Sequence, residues 1–202
     1  MTKNTKNSYQ SSYKKYGTGP RALKWRSEKA ARQRYEQIVA DINFNKKSIL
    51  DVGSGFGDIA AHIAKKSDTF TYTGIDLVPE FVKEAKKKYS KHNFLVGDYF
   101  KQPLKKKFDI VICCGALNGN YKDNLGFRKK AIKTMFNHTK ECLVFNMSGR
   151  HPKPKTARLS NVWFADSKSI FNYCKTLSGR VLLKEDYHSN DFTIVMFKGG
   201  LI

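Results

Sequence analysis

The stretch Ser48-Ile-Leu-Asp51-Val-Gly53-Ser-Gly55-Phe-Gly57-Asp58-Ile-Ala60 (SILDVGSGFGDIA) decides how the rest of the chain is read. An apolar run, Ser48–Val52, has the length and composition of a buried strand, and a short helical pattern follows over Asp58–Lys66. Three glycines at alternate positions separate the two. Glycine lets a turn tighten and lets another group approach the main chain. The first amides of a helix add hydrogen-bond donors that no residue of the helix itself satisfies. In an open parallel sheet such a turn lies at the carboxyl ends of the strands, where ligands bind.

Outward from this turn, strands and helices alternate. Phe70–Ile75 reads as a strand, and Pro79–Tyr89 as a helix with proline in its first turn. Phe94–Val96 and Phe108–Cys114 are apolar strands, Leu125–Asn137 is a helix, Cys142–Met147 a strand and Ser167–Thr176 a helix. Arg180–Leu183 and Phe192–Phe197 close the series too near each other for a crossover helix, so they pair antiparallel. The expected fold is α/β: a Rossmann-like, open, seven-stranded, mostly parallel sheet with helices on both faces and an antiparallel C-terminal strand. Residues 1–20 lack periodicity and are expected to be a flexible basic arm, and 21–42 shows a helical stripe through Ala22, Trp25, Ala30, Tyr35, Ile38 and Ile42. The body of the fold is expected over 46–202. One long connection, 148–160, has no element of its own, and loops of that kind are often functional.

A dinucleotide fingerprint spaces its glycines Gly-x-Gly-x-x-Gly. Here the spacing is Gly53-x-Gly55-x-Gly57, and Asp58 stands where the third glycine would be, repelling a pyrophosphate. Asp51 adds a second carboxylate, which suits a ligand with a positive group. Asp51-x-Gly-x-Gly-x-Gly57 resembles the first motif of the class I S-adenosylmethionine-dependent methyltransferases. The resemblance continues in Tyr72-Thr-Gly-Ile-Asp76, about 20 residues on, where that family holds the ribose hydroxyls with an acidic residue. Phe94-Leu-Val-Gly-Asp98 matches the position that faces the adenine amino group, and Phe108-Asp-Ile-Val-Ile-Cys-Cys-Gly115 matches the fourth strand, beside the reacting methyl. The resemblance implies S-adenosyl-L-methionine as cofactor, held by Asp51, Gly53, Ser54, Gly55, Gly57, Asp76, Leu77, Asp98, Tyr99 and Gly115; no Cys/His cluster has metal-ligand spacing, so no metal is expected.

It also implies an in-line methyl transfer to an O or N nucleophile, in which the protein chiefly aligns the reactants and excludes water. The Asp/Asn-Pro-Pro-Tyr/Phe of amino-directed nucleic-acid enzymes is replaced here by Gly115-Ala-Leu-Asn118-Gly-Asn120-Tyr121. The Pro-Cys of cytosine-C5 enzymes is missing too, so Cys113 and Cys114 are poor nucleophiles. Asn118, His151 and His188, the last beside Asp191, are the candidates for orienting the acceptor or taking its proton. Residues 21–45 occupy the place of a substrate lid in many relatives. Arg21, Trp25, Tyr121, Arg150 and Arg158 are candidate acceptor contacts. Asp166 caps a helix, and Asp109, at the foot of the fourth strand, is structural.

The chain has 202 residues, of which 38 are Lys or Arg and 17 Asp or Glu, a formal charge of +21. Two readings of that charge stand: a solvated lysine coat, and contact with a polyanion. The four cysteines lack metal-ligand or disulfide spacing and read as small core residues. No apolar run has the roughly 18 residues of a membrane span, and the polar N-terminus lacks a signal-peptide core, so a cytoplasmic protein is expected. With no inserted recognition domain, a small-molecule acceptor is favoured, an anionic one given the arginines. The alternative is RNA, tracked by the basic arm with Tyr9, Tyr13 and Tyr16 stacking on bases. A third reading is a non-catalytic cofactor-binding subunit. Oligomeric state is open.

Overall fold

The computed structural model describes residues 3–152 and 162–199. Its strands form one seven-stranded sheet in the order β3-β2-β1-β4-β5-β7-β6. The chain divides into two compact units, Met1–Leu104 and Lys105–Ile202.

The first unit runs α1 (Lys3–Tyr16), a 3-10 turn (Pro20–Leu23), α2 (Glu28–Val39), β1 (Ser48–Val52), α3 (Ile59–Ala64), β2 (Thr71–Asp76), α4 (Pro79–Lys88) and β3 (Asn93–Val96). β1 and β3 flank β2, both parallel to it, with Val52 opposite Ile75 and Asp76 opposite Val96. Asp51 therefore nears the end of β1, Asp76 closes β2, and Asp98 lies just past β3. All three carboxylates share the carboxyl edge.

Two expectations are corrected here. Residues 1–20 are not an arm without structure, because Lys3–Tyr16 is a helix. Its Tyr9 and Tyr13, one turn apart on the same face, each meet the Phe81 ring edge-on at 6.0 Å. The Gln10 amide donates to Glu80 at 2.8 Å and the Tyr13 hydroxyl to Glu84 at 3.2 Å. The partners lie about seventy positions away, so no local periodicity announces them. Second, the stripe from Arg21 is not one helix. Lys24 adopts a left-handed conformation (φ 60°) that ends the 3-10 turn, and Ser27 starts α2 by accepting the Ala30 N–H at 3.2 Å.

The second unit runs β4 (Phe108–Cys114), α5 (Asn124–His138), β5 (Thr139–Ser148), α6 (Ser167–Lys175), β6 (Arg180–Lys184) and β7 (Asp191–Phe197). β4 and β5 are parallel, while β7 is antiparallel to both β5 and β6. The expected mostly parallel sheet with an antiparallel last strand is present, and that strand is wedged inside the sheet. Asp123 and Asp166 cap α5 and α6, accepting from Gly126 N–H at 2.9 Å and Ser169 N–H at 2.8 Å. Asp109 pairs with Lys140 at 3.1 Å. Cys113, Cys142 and Cys174 are buried outside any disulfide, and burial pushes the thiols of Cys142 and Cys174 up to about 12. They are inert core residues.

Candidate functional site

The glycine bend is held mostly by its own chain. Gly53, Gly55 and Gly57 all have left-handed φ values, 75°, 54° and 77°, which favour glycine. The N–H groups of Gly53 and Ser54 donate to Ile75 carbonyl oxygen, that of Gly55 to Asp76 Oδ2 at 2.8 Å, and that of Gly57 to Ser54 carbonyl oxygen. A side chain on Gly57 would meet the Phe94 ring at 2.7 Å, and one on Gly55 would meet Leu23 Cδ2 at 2.9 Å. At two of the three glycines, then, the close neighbour is a protein side chain. Packing within the first unit thus accounts for part of the glycine pattern, beside the approach of another group expected from the sequence.

Two buried carboxylates stand behind the bend. Asp51 is 3% exposed, and its Oδ2 accepts the Tyr72 hydroxyl at 2.5 Å. Its Oδ1 has no protein donor among the described residues. Burial pushes the Asp51 carboxyl up to about 7; the Tyr72 hydrogen bond opposes this and the nearby Asp76 adds to it. Burial likewise raises Asp76 to about 6, against hydrogen bonds from the N–H groups of Val78, Gly55 and Leu77. Asp76 Oδ2 accepts the Gly55 N–H and Oδ1 the Val78 N–H at 2.9 Å. A carboxylate offers about four acceptor sites, so with three N–H groups against it Asp76 retains capacity for a further donor. Ser54 Oγ is also buried without a protein partner among the described residues. Orphaned buried oxygens beside two destabilised carboxylates fit a ligand that brings donors and positive charge. Tyr99, next to Asp98, is buried against Phe100. Asp58 faces Lys88 at 2.6 Å, so its charge is met locally.

The 3-10 turn and α1 cover this edge of the first unit. Ala22, Phe56, Val78 and Phe81 form one buried cluster, with Tyr9, Tyr13 and Leu23 packed on it. Phe56 belongs to the glycine bend, and Val78 follows the Asp76–Leu77 pair. Trp25 meets Tyr35 edge-on at 6.4 Å, carries the Arg34 guanidinium at 4.8 Å, and lines a cavity of about 580 Å³ with Phe56, Asp58, His62 and Tyr89. None of the three strand-end carboxylates lines that cavity. Arg21 lies over the Tyr16 ring at 6.0 Å instead.

In the second unit Gly115 ends β4 at a φ of 77°. Asn118 Oδ1 accepts the Ser148 N–H at 2.8 Å and its carbonyl the Trp163 N–H at 3.0 Å, so its side chain ties the post-β4 loop to β5. Tyr121 stacks on Phe127 at 4.2 Å and faces Arg128 at 5.0 Å. Arg128 is fully buried, and no motif singled it out. Its guanidinium donates to the carbonyls of Leu117, Asn124 and Gly119 and to Asn124 Oδ1, and lies 4.5 Å from the Trp163 ring. Burial lowers its pKa to about 10, so it stays charged at neutral pH. Arg150 is placed by its N–H to Ala165 carbonyl oxygen at 3.2 Å. Arg158 lies outside the described residues.

Both expected histidines sit against carboxylates. His151 Nδ1 is 2.8 Å from Asp166 Oδ2 and His188 Nδ1 is 3.0 Å from Asp191 Oδ2. Burial alone would raise the Asp166 carboxyl, but hydrogen bonds from His151 and the Ser169 N–H hold it below its usual range. Asp191 is 1% exposed and also accepts the Ser148 hydroxyl at 3.1 Å. Among the described residues no group of His, Cys, Asp and Glu is arranged to hold a metal, and no helix is long and apolar enough to cross a membrane.

Residues 49–141 match a family described as a methyltransferase domain. A demethylmenaquinone methyltransferase of Chlorobaculum tepidum is 35% identical over 94 residues, covering 46% of this chain and 37% of the relative. One of Thermotoga maritima is 28% identical over 98 residues, covering 48% and 42%. The chain thus matches well under half the length of these curated relatives. Among solved structures, magnesium protoporphyrin IX methyltransferase from Synechocystis with bound SAH superposes with a TM-score of 0.66 at 15% identity, over 85% of this chain and 83% of that one. An S-adenosylmethionine-dependent methyltransferase from Clostridium acetobutylicum gives 0.63 at 18% identity, over 96% and 99%. At such identities the likeness establishes the fold.

Proposed function

We propose that this chain is a class I S-adenosylmethionine-dependent methyltransferase, a reading that its matched domain and its fold support, and that it moves the cofactor's methyl group to an oxygen or nitrogen of a small, anionic acceptor. The observation that carries the cofactor assignment is the Asp76 carboxylate, buried at the end of β2 and bonded to the glycine bend through Gly55 N–H. In this reading Asp76 and Leu77 hold the ribose, Asp98 and Tyr99 the adenine, and Asp51 with the Gly53–Gly57 bend the positively charged end. Gly115 lies at the end of the strand that borders the methyl in relatives. When bound, S-adenosylmethionine supplies an electrophilic methyl on a sulfonium sulfur. The protein's own work is to bind, to orient and to keep water out.

For the acceptor, Arg21, Trp25, Tyr121, Arg150 and Arg158 remain the proposed contacts, with Asn118, His151 and His188 as polar groups on its side. A small molecule is supported by the packing of Tyr9 and Tyr13 into the Phe56–Phe81 cluster, which removes two of the three rings an RNA strand would use. The relatives' acceptors, demethylmenaquinone and a porphyrin by name, are small molecules as well. The +21 charge favours RNA as the second reading. Incubating the protein with methyl-labelled S-adenosylmethionine and separated extract fractions decides between them. Label in the low-molecular-weight fraction is expected, label in RNA would move the assignment to the second reading, and label in neither would leave only cofactor binding.

A further inference from the structure

One aromatic ring fills the space that two glycines leave open. Phe94 on β3 stands beside Gly74 on β2, and Gly74 beside Asp51 on β1, so the three form a row across the strands of the first unit. A side chain on Gly74 would meet the Phe94 ring at 2.7 Å, as would one on Gly57 in the bend. The ring crosses Gly74 to reach the bend, and Phe94 is buried there at 1% exposure. Gly74 is not among the glycines with left-handed φ values, so its backbone makes no demand for glycine. The ring makes that demand. Tyr72, two positions earlier and on the same face, packs against Phe94 at 5.7 Å and donates its hydroxyl to Asp51. A side chain on Gly74 would also fall 2.7 Å from Ser54 Oγ.

The bend is secured differently along its length. Hydrogen bonds to β2 hold its first half, from the N–H groups of Gly53 and Ser54 to the Ile75 carbonyl and from Gly55 N–H to Asp76 Oδ2. The Gly57 N–H turns back to the Ser54 carbonyl, within the bend itself. Beyond it, Asp58 accepts from Lys88 at 2.6 Å and from the Tyr89 hydroxyl at 3.2 Å. The Lys88 side chain is 58% exposed, and surface ion pairs contribute little. The Phe94 ring is the buried member of this set. Interiors are close-packed, so Gly57 cannot move onto the strands without displacing the ring, and the ring cannot withdraw without leaving a void.

We propose that Phe94 is a positioning residue for the cofactor: its ring is the surface on which the Ser54–Gly57 part of the bend is laid, and Gly74 is the vacancy that admits it. This rests on the reading of the bend as the cofactor's cradle. Phe94 is not among the residues assigned to the cofactor. It acts by fixing how often the empty bend already has its binding shape. Apparent affinity falls with that fraction, so a bend correctly shaped about one tenth of the time binds about tenfold more weakly.

The test measures S-adenosylmethionine affinity by calorimetry on the full-length protein, with urea unfolding alongside, at a temperature where each variant is folded. Gly74→Ala should drive the ring from its place and weaken binding about tenfold or more. Phe94→Leu, which withdraws the far edge of the ring from Gly57, should do likewise. It keeps an apolar side chain in the core and so guards against misfolding of the first variant. In the double variant the alanine methyl enters the space that the ring has left, and Ser54 Oγ can turn to another rotamer. Affinity should then return to within about threefold of the unaltered protein, a non-additivity expected only of groups in contact. Single variants that lower the urea midpoint yet keep full affinity overturn the proposal, because Phe94 is then a core residue and nothing more. Losses that simply add in the double variant overturn it too. No cofactor binding by the unaltered protein overturns the cradle reading, and the part of Phe94 with it.

Discussion

The two units bury charge in opposite ways. In the first, Asp51 and Asp76 sit at strand ends with their carboxyls raised by burial to about 7 and about 6, and no cation of the described residues is bonded to either. In the second, the described buried charges, Arg128 and Asp191, are met from within. Arg128 is bracketed by carbonyls and the Trp163 ring, and Asp191 is held by Ser148 and His188. A charge fully partnered by its own chain specifies a local structure; one left desolvated costs stability until a ligand of opposite sign arrives. In the proposed reading the first unit receives something positive, whereas the groups of the second hold loops and one imidazole in place.

Breaking the second half of the contrast should have the larger effect. Arg128→Met removes the donor of four hydrogen bonds and strands the carbonyls of Leu117 and Gly119, so unfolding by urea should show a loss of about 3 kcal/mol. A change within about 0.5 kcal/mol would mean that the guanidinium is not the clamp of the post-β4 loop. The first half is probed by Asp76→Ala, which should weaken S-adenosylmethionine binding by about 1–3 kcal/mol in calorimetry while leaving the fold intact. Unaltered affinity would remove Asp76 from the site.

The mildest test changes only pH. A positive ligand favours the ionised carboxylates, so binding at pH 6 should expel protons from Asp51 and Asp76, and affinity should rise as pH climbs from 5 to 7. For each proton released the rise is at most about tenfold per pH unit. Calorimetry in two buffers of different ionisation enthalpy measures the proton count. A pH-independent affinity would show that neither carboxylate faces the cation. The sign is opposite for the ligand-free protein. Asp51 is a carboxyl with a raised folded-state value, so its contribution to stability is present below its unfolded value and is lost as pH rises towards about 7.

What was legible in the chain was whatever repeats locally. Alternation of apolar runs with helical stripes placed the seven strands to within a few residues, and the resemblance to the methyltransferase motifs singled out Asp51, Asp76 and Asp98 near the ends of those strands. The same reading gave Asp166 as a cap, since a cap and its helix are adjacent.

Contacts between distant positions were decided only in three dimensions. Tyr9 and Tyr13 look like residues of a polar tail until Phe56 and Phe81 come under them. That Leu23 and Phe94 lie against the glycines at 55 and 57 is likewise invisible in the sequence. Arg128 and the Ser148–Asp191 pair carry no local signature, because a buried polar group is tolerated only through partners that the fold alone assembles. Local pattern determined where chain meets edge in this protein. Burial, which depends on everything folded around a residue, decided which charges were satisfied and which were left open.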